Sequence, residues 1–176
     1  FGVHHLDTHG IAAVAQALRA ATTRPFALNL WIPHEDADDP VIDDAAFARY
    51  VALLRPYFDE LGEPVPQRPE RYAPRYAEQV EAVLAARPAV FSFVFGIPDR
   101  DVLDRCKALG ILTLGAATTR DEAVALAQAG VDAIVATGAE AGGHRVSFLR
   151  TAEESLTGTL ALVPQVVDAV DVPVIA

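Results

Sequence analysis

Residues 138–146 read Gly-Ala-Glu-Ala-Gly-Gly-His-Arg-Val and follow the apolar run 132–137. A strand that ends in glycines and a histidine is equipped for a particular chemistry. In parallel α/β folds, ligands bind beyond the carboxyl ends of the strands. Glycines there let backbone N–H groups approach a flat ring or a phosphate with no Cβ in the way. Gly142 and Gly143 fit that use. His144 then points a proton-transfer group at whatever is bound. The plainer alternative is a flexible turn with a surface histidine. Glu140, inside the same stretch, is expected to hold the loop by accepting backbone N–H bonds.

Other residues invite chemistry less strongly. His4, His5, Asp7 and His9 are all metal-ligand types. Neighbouring side chains of an extended segment point apart, however, so no metal site is assigned. Asp7 or Thr8 suits a helix N-cap, and His4 or His5 stands near a pocket in the alternative reading. Trp31 ends a strand and either lines a pocket or packs. His34 and Glu35 head an acidic stretch read as a solvated loop. Cys106 shares a helical face with Val102, Leu103 and Leu109, which marks a buried structural thiol. A lone cysteine also excludes an intrachain disulfide.

The elements that position these residues are legible from periodicity. Near-continuous apolar runs at 26–32, 89–95, 111–116, 133–137 and 172–176 read as strands buried on both faces of a parallel sheet. Ile11, Val14, Ala15 and Leu18 form one helical stripe, and Tyr76, Val80, Val83 and Leu84 another. Thr119 and Glu122 form a capping box, and Gly130 and Gly110 stop two helices. Strands starting near 90, 111 and 132 lie about 21 residues apart, a tight βαβ spacing. The segment 33–75 breaks this rhythm. It holds a helical stretch, expected to be interrupted at Pro56, and reads as a lid or wall over the site. Residues 147–158 are polar and read as a mobile loop.

Composition limits the function classes. Of 176 residues, 52% are hydrophobic and 22% charged, which suits a globular domain with a real core. A formal net charge of −10 disfavours nucleic acid and anionic membrane as partners. No apolar run reaches the ~20 residues of a membrane span and no signal peptide opens the sequence, so the cytoplasm is the expected location.

The string Glu-Ala-Gly-Gly-His at 140–144 also resembles a known family. With residues 24–30, 90–98 and 158–176, in the same order along nearly the whole chain, it is similar to nitronate monooxygenase, the FMN-dependent family once called 2-nitropropane dioxygenases. The resemblance implies an α/β fold, a (βα)8 TIM barrel represented by about five consecutive parallel strands, its third to seventh. Residues 1–176 are then one FMN-binding barrel domain truncated at both ends, with 33–75 a helical insertion over the site. The implied reaction oxidises alkyl nitronates, and nitroalkanes in some readings, with O2 to a carbonyl compound and nitrite. His144 matches the active-site histidine. Asn29 and Gly142 match residues that contact the flavin, and Gly143, beside Gly142, is counted with them as cofactor-binding. Thr137 stands where the family often has Gln, so a hydrogen bond to the flavin ring is lost or water-mediated. The implied partners are a small nitronate or nitroalkane and O2, with a homo-oligomer left open. The alternatives are an FMN-dependent enoyl-acyl-carrier-protein reductase or an NAD(P)H:quinone reductase on the same barrel, or a non-catalytic fragment whose open sheet edges pack against another chain.

Overall fold

The computed structural model describes residues 1–33, 42–69 and 71–176. The acidic stretch headed by His34 and Glu35 lies outside them. The chain divides into two units, Phe1–His34 with Pro74–Ala176, and Glu35–Ala73.

The larger unit is a five-stranded parallel sheet. Its strands are β1 (Ala27–Trp31), β2 (Val90–Val94), β3 (Leu112–Ala117), β4 (Ala133–Ala136) and β5 (Val174–Ile175). They lie in sequential order with no reversal. Sequential order separates an arc of a barrel from a doubly wound sheet, so the α/β barrel expectation holds. Each expected run contains its strand, trimmed at the ends, except that β3 extends one residue further.

The helices form for the reasons the sequence gives. Helix α1 (Thr8–Ala21) begins at Asp7, whose carboxylate accepts the Gly10 N–H at 2.8 Å. Helix α3 (Tyr76–Ala86) buries Val80, Val83 and Leu84, and α4 (Arg100–Ala108) buries Val102, Leu103 and Cys106. Burial pushes the Cys106 thiol up to about 11, as an inert core thiol requires. Helix α5 (Arg120–Ala129) carries the Thr119–Glu122 capping box and stops at Gly130, whose φ is 89°. Helix α6 (Thr159–Val167) precedes β5.

The two faces of the sheet differ. Leu28, Leu30, Phe91, Phe93 and Ile134 are fully or almost fully buried in a core shared with Ile11, Val83, Leu126 and Leu162 of the helices. The alternate residues point the other way. Leu112 and Ile175 there are 56% and 49% exposed. The expectation of strands buried on both faces is therefore met on the helix side, while on the other side Ala116 is the one buried strand residue among those described. The opposite face is the one a closed barrel would enclose.

Two further expectations change. Residues 1–3 run alongside β1: Gly2 bridges Asn29 in parallel sense, and Val3 N–H donates to the Asn29 carbonyl at 2.9 Å. The outer edge of β1 is thus partly taken. In the smaller unit, α2 (Asp44–Leu61) runs through Pro56 without interruption. Proline removes one i→i−4 bond, but the carbonyl left over belongs to Ala52, which is exposed and can turn to water. Among the described residues no helix is long and apolar enough to cross a membrane.

Candidate active site

At the carboxyl ends of β1, β2 and β4 the rings of His4, Trp31, Phe95 and His144 gather, with His5 edge-on to His4 at 5.3 Å. The His4 and Trp31 rings stack, with centroids 3.9 Å apart and planes within 8°. The His144 ring meets Trp31 edge-on at 4.9 Å, and Phe95 meets it at 5.0 Å. Trp31 is therefore the hub of the cluster. Its position follows from the pleat, since Leu28 and Leu30 enter the core while Asn29 and Trp31 take the opposite face.

His144 reaches this hub on a loop that crosses from β4 toward β1. Polar anchors hold that loop. The Arg145 guanidinium donates to the carbonyls of Thr137 and Gly138, both at 2.8 Å, to that of Thr118, and to that of Ser155. These carbonyls belong to the end of β4, the turn after β3, and the segment before α6. Glu140, exposed, accepts the Thr159 N–H at 2.9 Å and its hydroxyl at 3.0 Å. Those bonds, the N–H first, hold its carboxyl below the usual carboxylate range. Glu140 thereby caps α6, whose own N-cap residue, Gly158, has no side chain to do so.

Glu122 anchors the same region from below. Its carboxylate is fully buried. One oxygen accepts from the Thr118 N–H, the Thr118 hydroxyl and the Thr119 N–H. The other accepts from the N–H groups of Phe148 and Leu149. Residues 147–158, expected to be a mobile loop, are thus tied down at 148–149 and at Ser155, and Ser155 is buried. A 3-10 turn spans Glu153–Ser155.

His144 joins the ring cluster. Asn29 lies in β1, two residues before Trp31, and donates from its amide to the Ser92 hydroxyl at 3.1 Å. Thr137 continues β4, with its N–H on the Ala117 carbonyl at 2.8 Å and its own carbonyl on Arg145. Gly143 has φ of 82°, a left-handed conformation that favours glycine. Gly142 is exposed, and a Cβ placed there would meet no atom of the described residues within 4 Å.

Three further residues shape the site. Phe95 ends an apolar run and carries φ of 68°, costly for a non-glycine residue; only the following Gly96 hinted at a sharp turn. Arg145 follows the histidine directly, but its use as a four-carbonyl clamp depends on folding. In the sequence Glu122 shows only as a cap. His4, weighed for either role, belongs to the cluster. Its imidazole is held below the ordinary value by burial, then by His5 and His144, and its Nδ1 is buried without a partner. Among the described residues no three His, Cys, Asp or Glu side chains gather as a metal would require.

The opposite end of β1 holds a cavity of about 480 Å³ lined in part by Arg19, Arg24, Phe26 and Arg87. Arg19 there donates to the Ala86 and Arg87 carbonyls at the end of α3. Cations at helix carboxyl ends are sufficiently explained by the helix dipole.

The chain is 37% identical over 180 residues to a "Probable nitronate monooxygenase" of Staphylococcus haemolyticus, covering 99% of this chain and 48% of that protein. It is 35% identical over 178 residues to one of Staphylococcus aureus strain Newman, again covering 48% of it. The chain thus spans about half the length of the curated relatives it matches. Among solved structures it is similar to the nitroalkane oxidase of Streptomyces ansochromogenes, with a TM-score of 0.77 and 32% identity over 99% of this chain and 49% of that one. FabK from Thermotoga maritima shares the fold at a TM-score of 0.63 and 19% identity, over 98% of this chain and 40% of that one. The nitronate monooxygenase family model matches residues 2–176, and the chain belongs to that family.

Proposed function

We propose that this segment supplies part of the active site of an FMN-dependent enzyme that oxidises alkyl nitronates, and neutral nitroalkanes, with O2 to a carbonyl compound and nitrite. The observation that carries the reading is the placement of His144 against Trp31, at the strand end where the family motif locates its active-site histidine. Two of the relatives named above are probable nitronate monooxygenases and one is a nitroalkane oxidase, which supports the same chemistry.

The residues present fit a flavin. Gly142 leaves open space above its backbone, and Gly143 turns the chain without a side chain. The buried, unpartnered Nδ1 of His4 offers a hydrogen-bonding atom beside the ring cluster. Asn29, Thr137, Gly142 and Gly143 are the residues assigned to hold the cofactor. Bound FMN would supply the electron acceptor and the reaction with O2.

The chain's own residues do the rest. A nitronate is already a carbanion equivalent, so His144 serves to orient it. A neutral nitroalkane must first lose a proton from carbon, and His144 Nδ1 or Nε2 is the base. Trp31 and Phe95 limit how far that ring can turn, and Arg145 fixes the backbone next to it. Removing the imidazole should therefore matter most where a proton must be taken. In the full-length flavoprotein, His144→Ala is expected to lower kcat/KM for a neutral nitroalkane by ~10²–10⁴-fold and to lower it far less for the matching nitronate. Equal losses on both substrates would remove the base role. A wild-type protein that carries no flavin absorbance and turns over neither substrate would overturn the reading as a whole.

A further inference from the structure

The smaller unit has a feature that the chemistry above does not use. Helix α2 contains no buried residue. Tyr50, Leu53, Leu54, Tyr57 and Leu61 are 57%, 72%, 51%, 63% and 74% exposed. At about 100° per residue these five fall within an arc of about 100°. They form one continuous apolar stripe, while Phe47, Val51 and Phe58, on the adjoining face, are half-buried. Large exposed apolar stripes on a helix mark a partner surface.

The order of residues identifies the partner. Tyr50-x-x-Leu53-Leu54-x-x-Tyr57 reads the same in both directions. A two-fold axis passing between Leu53 and Leu54 lays a second α2 antiparallel on the first. Tyr50 then meets Tyr57 of the second copy, and Leu53 meets Leu54. The charges obey the same axis. Arg49 and Glu60 lie on one flank of the stripe, about 20° apart around the helix. They are about 16 Å apart along their own helix, too far to pair with each other. Across the axis, Arg49 and Glu60 of the second copy come within about 3 Å in height, and the pairing occurs twice. The opposite flank carries no charge that would oppose the contact.

We infer that the Tyr50–Leu61 stripe of α2 is an isologous interface through which two copies of the protein associate. The inference is independent of the proposed function. One helix pair buries less than a standard protein interface of ~1,600 Å², so the association is expected in the micromolar range.

The test uses the full-length protein in sedimentation equilibrium. The wild type is expected to dimerise at tens of micromolar. Leu53→Glu with Leu54→Glu should give a monomer with unchanged far-ultraviolet circular dichroism, because both side chains are exposed. Arg49→Glu and Glu60→Arg should each weaken the dimer about tenfold, and the double charge swap should restore it. Restoration requires the antiparallel pairing, since the two residues cannot reach each other within one chain. A wild type that stays monomeric to about 100 µM overturns the inference. So does a charge swap that stays as weak as the single changes. So does a double leucine variant that still dimerises, or that unfolds because the stripe is covered by its own chain.

Discussion

Glu122→Gln separates two roles that a sequence cannot tell apart. In a capping box, glutamine serves as well as glutamate. If Glu122 only caps α5, the substitution should move stability by no more than ~0.5 kcal/mol. The structure sets a different expectation. Both carboxylate oxygens of Glu122 are used, one by Thr118 and Thr119 and the other by the N–H groups of Phe148 and Leu149 at 2.6 and 3.1 Å. An amide has one oxygen. Kept toward Thr118 and Thr119, it turns an NH2 group against two N–H donors. Hydrogen bonds to charged groups contribute ~1.5–3 kcal/mol each, and a buried donor left bare adds to the loss. Two bonds at the low end give about 3 kcal/mol. The low end applies because Leu149 is exposed and its N–H can turn to water. Against a typical stability of ~5–15 kcal/mol this is a large shift. Urea unfolding of wild type and variant, compared by midpoint at equal slope, measures it. Thr119→Ala, which removes only the cap, provides the reference at ~1 kcal/mol. A Glu122→Gln cost below that reference would refute the loop latch.

The remaining expectations concern a glycine pair and a histidine. Gly138→Ala puts a Cβ 2.0 Å from the Thr159 hydroxyl, 2.5 Å from the Thr159 backbone nitrogen and 2.7 Å from the Glu140 carboxylate. It should cost about 2–3 kcal/mol in urea unfolding, whereas Gly142→Ala should leave stability within ~0.5 kcal/mol; equal effects would sink the distinction. For His4, burial and the nearby His5 and His144 lower the folded-state value below the ordinary 6.5. Its contribution is present above 6.5 and is lost as pH falls from there through the folded-state value. His4→Gln should flatten the fall in urea midpoint on acidification, and an unchanged slope would count against the burial of that imidazole.

How much of this was legible in the sequence depended on the range of the interactions. The Asp7 cap, the Thr119–Glu122 box and the Gly130 stop are local patterns, and local patterns survive into the fold when nothing tertiary opposes them; the sequential strand order is not local, and only the family resemblance implied it. Glu140 was also read correctly as a loop holder, because a carboxylate among glycines has mainly backbone N–H groups to meet. Arg145 was missed for the opposite reason. Its four carbonyls sit at 118, 137, 138 and 155, and only the fold brings them within one guanidinium's reach. The loop at 147–158 was misread on the same account, since polar composition does not reveal that Glu122 and Arg145 are waiting for its backbone. Pro56 was over-read. An exposed helix tolerates the lost bond where water can take the carbonyl.

The glycines of the motif show where the folded chain stops explaining its own sequence. Gly115 is required by packing, since a Cβ there would lie 2.4 Å from Leu126. Gly138 is required by Thr159 and Glu140. Gly143 is favoured by its backbone angle. Gly142 answers to none of these: its φ is not left-handed and no atom of the described residues claims its space. The motif therefore contains glycines of two kinds. One kind lets the loop close on itself, so that Arg145 and Glu140 can fix it. The other leaves clear a surface that the described residues do not fill. His144 stands between the fixed part and the cleared part, with its ring held against Trp31. That division of labour is what a loop needs if it must present an imidazole and bare backbone to a flat bound group without moving to do so.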